Sequence, residues 1–316
     1  VVTFIFRRFL LALPVLFGAS LALFALLYVL PGDPASFVLG DSATPAQLAA
    51  LRHHLDLDQA VPVQYLLWLG RLVRGNLGES LISGYPVARL IGQRLPVAIE
   101  LTLGALFVAV LLGVPAGIAI GVRPQGWLAR AIDMFNATAI AVPVFWLGLL
   151  LQIIVAIKLG WLPAGGYVAL STDPVKNLRA MTLPCITLGV GTAAVLARFL
   201  AAGIAETMTR DFVVTARAKG LAPGHIIFRH VLRNAVIPAV TALGIQIGRL
   251  IGGAVLTEAV FNLPGLGTLL WSALVQRDYF VIQAVTLLAI LLFVVINLAT
   301  DIAYGIIDPR IRTGAR

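Results

Sequence analysis

The chain has 316 residues, 60% of them hydrophobic and only 12% charged, with 23 Lys and Arg against 14 Asp and Glu. Soluble domains carry about 25% charged residues, and a chain of this length cannot hide so much apolar surface behind so thin a polar shell. An ordinary soluble domain is excluded, and with it the nucleic-acid reading that a net charge of +9 would otherwise invite; the surplus apolar surface faces lipid.

Residues 9–30 form the first uncharged run, directly after Arg7 and Arg8. At 1.5 Å per residue it is long enough for a hydrocarbon core of about 30 Å. It exceeds the usual apolar stretch of a signal peptide, and Pro31-Gly32-Asp33-Pro34 offers no small-x-small cleavage site, so an uncleaved helix is expected. Residues 31–95 make a long polar insert. In it, Thr44-Pro45-Ala46-Gln47 reads as an N-cap, a proline at the first helical position and a Gln at the third, opening a short helix toward Leu55. Residues 65–73, with Trp68, predict a helix lying on the bilayer surface or against the bundle, and 86–95 a further short helix. Four more runs follow at 101–122, at 134–157 with a kink expected at Pro143, at 181–205 around Arg198, and at 234–259 around Arg249 and Glu258; an uncharged sixth covers 279–300. The expected organisation is residues 1–30 as an N-terminal segment with the first span, 31–95 as the insert, and 96–316 as the core.

Charge sidedness sets the orientation. With the N-terminus cytoplasmic, segments 1–8, 123–130, 198–233 and 301–316 carry thirteen of the 23 basic residues, against four in 158–180 and 260–278. The long insert counts little in this comparison. The expected fold is all-α and polytopic: six transmembrane helices, N-in and C-in, with 206–233 in the cytoplasm.

No GxxxxGK[ST] run is present, so the chain has no ATP-binding loop of that kind. His53-His54 reads as a solvated helix face, and Cys185 as a small core residue with no disulfide partner. His225 and His230, five apart, fall on different faces of an α-helix, so no shared metal site is expected. The connection 206–233 is broken by Gly220 and by Pro223-Gly224, which predicts a helix, a turn, and a short helix from Pro223 to about Leu232. That short helix sets Ile226, Ile227 and Val231 beside His225, Arg229, His230 and Arg233. Two readings stand: a site whose apolar side chains, Ile226 and Ile227, sit in a soluble partner's groove, or a basic loop held at the lipid headgroups. Arg249 lies too deep to snorkel easily from the inner face. It lines a pathway with Gly252 and Gly253 nearby, joins an ion pair, or sits at the outer interface.

At 206–233 a resemblance becomes specific. Thr215-Ala216-Arg217-Ala218-Lys219-Gly220, then Arg229-His230-Val231-Leu232-Arg233-Asn234 and Ile237-Pro238, resemble the coupling loop of the permease subunits of dipeptide and oligopeptide ABC importers, the branch that includes nickel and glutathione permeases. In the wider superfamily that loop begins Glu-Ala-Ala; here Val214, Thr215 and Ala216 stand in those places, as is usual for the peptide branch. Pro31-Gly32-Asp33-Pro34, Arg94-Leu95-Pro96, Glu258-Ala259-Val260-Phe261, Leu263-Pro264-Gly265-Leu266-Gly267, Arg277-Asp278-Tyr279 and Asp308-Pro309-Arg310 extend the likeness along nearly the whole chain.

The resemblance implies a type I importer permease in the bacterial inner membrane, not an enzyme, that moves short peptides by alternating access. It implies a second homologous permease, two cytoplasmic ATPases that carry the ATP and Mg, an extracytoplasmic substrate-binding protein, and no cofactor in this chain. It implies ATPase contacts at Ala216, Gly220, Leu221, Pro223, Gly224, Ile226, Ile227, Arg229, His230 and Arg233. Nickel, glutathione or another small solute is the alternative cargo. A secondary transporter is the alternative class, and no repeat between residues 1–158 and 159–316 speaks for it.

Overall fold

The structure, a computed structural model, describes the backbone of residues 2–29, 34–39 and 43–307, and the side-chain surroundings of residues 10–25, 35, 36, 39, 43–250, 254–300 and 302. Pro31-Gly32-Asp33, the Asp301 side chain and Asp308-Pro309-Arg310 lie outside the described residues. Two compact units are formed: Phe6–Pro96 with Gly265–Val294, and Val97–Pro264 with segments from both ends of the chain.

The first unit holds α1 (Val2–Val29), α2 (Pro34–Leu39), α3 (Pro45–His54), α4 (Val61–Val73) and, later in the chain, α12 (Leu266–Gln276). Thr44 caps α3 as its sequence predicts: its hydroxyl accepts from the Gln47 N–H at 3.3 Å, and the Gln47 side chain accepts from the Thr44 N–H at 2.9 Å. The aromatic face of α4 settles against α1. Phe24, Tyr65 and Trp68 bury one another with ring centroids 5.3–6.1 Å apart, and the Tyr65 hydroxyl bonds that of Ser20 at 2.9 Å. The loop after α4 is fastened far along the chain: the buried Asp278 carboxylate accepts from the Ser80 hydroxyl and, at 3.2 Å, from the Leu81 N–H. Asp278 immediately precedes α13 (Tyr279–Ile307).

The short helix expected over 86–95 is not separate. It continues unbroken into the second span as α5 (Val87–Val122), with Gly92 and Pro96 inside the helix. The third run differs more. Rather than a kinked helix, it is two helices, α6 (Trp127–Ala141) and α7 (Val144–Leu151, continued by a wider π-type turn to Lys158), meeting at 106°. Val142 is extended, since a residue before proline is driven out of the α region, and Pro143, extended as well, stands at the N-cap of the next helix. Four described helices are long and apolar enough to cross a membrane, five if this bent pair counts as one.

The second unit is built on α8 (Pro174–Thr207), which packs against α6, α7 and α11 (Leu232–Val260). Glycine makes the closest approaches. Gly113, Gly117 and Gly121 repeat every fourth residue along α5, one face of the helix. A Cβ at these positions would lie 2.7 Å from the Ala193 carbonyl oxygen, 2.9 Å from that of Ala197 and 2.7 Å from the Ile204 Cβ on α8. On α8, Gly203 lets the Ala235 backbone of α11 in just as closely. Where the solvent is as apolar as the side chains, such backbone-to-backbone packing replaces the hydrophobic drive.

The connection 159–173 closes one end of this unit over Phe261 and Leu263, both almost wholly buried. Gly166 N–H donates to the Phe261 carbonyl at 2.9 Å. Glu100 accepts from the Tyr167 hydroxyl at 3.0 Å and from buried Asn177 at 2.8 Å. Burial and the neighbouring carboxylate push the Tyr167 hydroxyl up to about 12, which keeps it a donor to Glu100.

Candidate functional site

The segment between α8 and α11 is not a loose loop. After Thr207 the chain turns through Met208–Arg210, held by an Arg210–Glu206 ion pair at 2.6 Å, and enters α9 (Asp211–Ala218). Asp211 stands in the first turn, where a negative charge complements the helix dipole. Val213 and Ala216 point inward and join Leu196, Leu200 and Ile204 of α8.

Gly220 ends α9 with φ +75°. Its N–H donates to the Arg217 carbonyl at 2.9 Å, and the Leu221 N–H reaches back to the Ala216 carbonyl at 3.3 Å. This bond pair is the Schellman closure, which needs a left-handed residue where Gly220 stands. A Cβ on Gly220 would meet nothing within 4 Å, so backbone conformation alone asks for glycine here. Pro223 then opens α10 (Pro223–His225), where a missing N–H costs no helical bond.

Beyond that point the structure departs from the expected short helix. α10 runs through a π-type turn, Ile226–Val231, straight into α11. No glycine or proline lies between Gly224 and Pro238, so nothing stops the helix at Leu232. Ile226 is 3% exposed and Val231 fully covered, both within the core shared with Val213, Ala216 and Ala235. The expectation that a partner's groove buries Ile226 is therefore corrected: the chain's own core buries it, and Ile227 is half-buried. Phe228, at 68% exposed, is the large apolar side chain on offer, with Leu221, Pro223, Gly224, Arg229 and Arg233 also exposed. Sequence alone did not single out Phe228, because which apolar residue of this segment stays uncovered is set by its packing against α8 and α9.

The same turn corrects the placement of the histidines. The rings of His225 and His230 lie 5.8 Å apart, centroid to centroid, at 60° to each other. His53, by contrast, bonds Asp58 at 2.7 Å in the open, which raises the imidazole's proton affinity and lowers that of the carboxylate.

Arg249 projects from α11, exposed on the single chain, and its polar contact is with Gln246 one turn earlier, at 3.4 Å. No carboxylate pairs with it among the described residues. Gly252 and Gly253 continue the same helix, but their surroundings lie outside the described residues.

Residues 113–313 match the family described as the binding-protein-dependent transport system inner membrane component, and residues 1–102 match the N-terminal region of such membrane components. The chain belongs to this family. It is a multi-pass inner-membrane transport subunit of the ABC importer permease class. It is 39% identical to a probable peptide ABC transporter permease of Sinorhizobium fredii, over 98% of this chain and 99% of that one. It is 37% identical to a dipeptide transport system permease of Alkalihalophilus pseudofirmus, over 97% and 98%. A glutathione transport system permease of Escherichia coli is 39% identical over 98% of each chain. Among solved structures, an inward-facing methionine ABC transporter matches with a TM-score of 0.58 at 21% identity, over 71% of this chain and 98% of that one, a likeness of fold.

Proposed function

We propose that this chain is the pore-forming permease of an ATP-driven importer of short peptides, with six spans and both termini in the cytoplasm. The observation that carries the reading is identity close to two residues in five, end to end, with permeases named for peptides and dipeptides. The glutathione permease at equal identity fits the same cargo class, because glutathione is itself a short peptide. A second permease completes the pathway, two ATPases hold ATP and Mg, and an extracytoplasmic binding protein delivers cargo; the pair then opens alternately to each side. Arg249 faces that pathway or the second permease, because lipid is the costly alternative for its charge.

The ATPase contact is the turn and helix start at Gly220, Leu221, Pro223, Gly224, Ile227, Phe228, Arg229, His230 and Arg233. Ala216 and Ile226 brace it from within. Support comes from the packing: α9 and the start of α11 share one core with α8, so a pull on this corner moves two long helices as solid bodies.

Reconstitution tests the function. Proteoliposomes holding both permeases, both ATPases and the binding protein are expected to take up a labelled dipeptide only with ATP. Uptake by this chain alone, without nucleotide, would instead identify a secondary transporter. Phe228→Asp is expected to release the ATPases on co-purification while the chain stays folded.

A further inference from the structure

We propose that His225 and His230 form a two-imidazole site for a divalent transition-metal ion, Zn²⁺, Ni²⁺ or Cu²⁺, at the start of the helix that becomes α11. The basis is the helix type. At 3.6 residues per turn, residues five apart are separated by about 140° around an α-helix. Hydrogen bonding from i to i+5 widens the turn and brings that pair onto one face. Ile226–Val231 has this form; His225 immediately precedes the run, His230 lies within it, and their rings stand 5.8 Å apart.

That separation suits a shared ion. Metal–nitrogen bonds of about 2.0–2.1 Å and a tetrahedral angle place two ligating imidazole centres roughly 5 Å apart. Side-chain torsions close the remainder without moving the backbone. His225 is exposed, which gives the ion a way in. No third His, Cys, Asp or Glu joins the pair among the described residues, so water fills the other positions. The site is an open chelate, not a closed structural centre.

The surroundings narrow the ion. Arg229 and Arg233 are exposed close by and oppose any cation. Only a metal with a marked preference for imidazole repays that repulsion, which selects Cu²⁺, Ni²⁺ and Zn²⁺ over the oxygen-seeking Mg²⁺ and Ca²⁺. A bound ion would tie the two ends of the widened turn together and hold it in the i to i+5 register. The helix could then not rewind to α geometry there, and the joint above Gly220 would stiffen. The binding needs neither the ATPase nor the cargo, so its test stands apart from the proposed function.

The chain has four histidines, two of them His53 and His54, which makes the test clean. The untagged full-length chain in detergent is titrated with Zn²⁺, and separately with Ni²⁺, in competition with a chromophoric chelator. One ion per chain is expected for the wild type and for the His53→Ala/His54→Ala double variant. Binding at least about tenfold weaker is expected for His225→Ala and for His230→Ala, because each removes one of two protein ligands. Zn²⁺ added during thermal unfolding should raise the midpoint of the wild type and leave that of His225→Ala unmoved. Wild-type affinity in both His225→Ala and His230→Ala would overturn the site. So would no binding to the wild type, or loss confined to the His53→Ala/His54→Ala protein, and the two rings would then be in simple contact.

Discussion

Gly220 shows what one residue contributes to the corner between α9 and α10. Its φ of +75° closes α9, and no neighbour occupies the space a side chain would fill. A β-branched residue there meets the penalty for a left-handed L-residue, about 1–2 kcal/mol, without a steric clash. Gly220→Val is therefore expected to leave folding and membrane insertion intact while the turn relaxes and shifts Leu221 and Phe228. Reconstituted in liposomes with the second permease, the ATPases and the binding protein, the variant complex should hydrolyse ATP without matching uptake; wild-type rates of both would remove Gly220 from the coupling path. Arg249 poses the opposite case, a charge whose place is set by its surroundings. From Leu232 the helical rise carries it about 25 Å along α11, and insertion scales put a lipid-facing arginine at roughly 2.5–3.5 kcal/mol. Arg249→Leu should raise the amount of inserted chain or leave it unchanged, yet abolish uptake, with Arg249→Lys keeping part of it. Normal uptake by Arg249→Leu would assign the residue a packing role at most. Both positions stand out in the sequence, one as a breaker in a helical stretch and the other as a charge in an apolar one. What each of them faces does not, because among the described residues Gly220 has open space around it and Arg249 has no carboxylate.

At the scale of elements, legibility followed distance along the chain. The Thr44 cap is readable because its two hydrogen bonds join residues three apart. Asp278 and Ser80 are separated by 198 positions, and nothing local to either announces the bond between them. Pro143 was visible as a breaker, but whether a helix bends gently or parts at 106° depends on what packs against its second half. The histidine pair was misplaced for a different reason: a helical wheel assumes the pitch, and the π-type turn changes it. The glycine repeat on α5 permits a sharp comparison. Alanine is favoured over glycine by about 1 kcal/mol in a helix interior, and a Cβ at Gly70 on α4 meets nothing within 4 Å. Gly70→Ala should thus be neutral or slightly stabilising. Gly113→Ala should lower the unfolding temperature in detergent, since its Cβ would press on the Ala193 carbonyl and overpacking costs about 1–3 kcal/mol. Equal midpoints for the two variants would mean that α5 and α8 do not approach along this face.

For the whole molecule, the orientation of the corner decides whether any of its chemistry reaches an ATPase. The basic residues favour the inner face: outside the long insert, segments on the side of 198–233 hold thirteen Lys and Arg against four. Aromatic residues fit a membrane frame, with Trp127, Trp161 and Trp271 each more than 60% exposed, as expected of side chains at the headgroup level. The single native cysteine is almost fully buried, so a thiol introduced elsewhere reports with little background. Lys219→Cys sits beside the Gly220 turn and Gln59→Cys lies in the long insert, both exposed. With a membrane-impermeant maleimide on spheroplasts, Gln59→Cys is expected to label at once and Lys219→Cys only after the membrane is opened. Labelling in the reverse order would set the corner on the outer face, out of reach of nucleotide. The basic residues around Phe228 would then need a different partner.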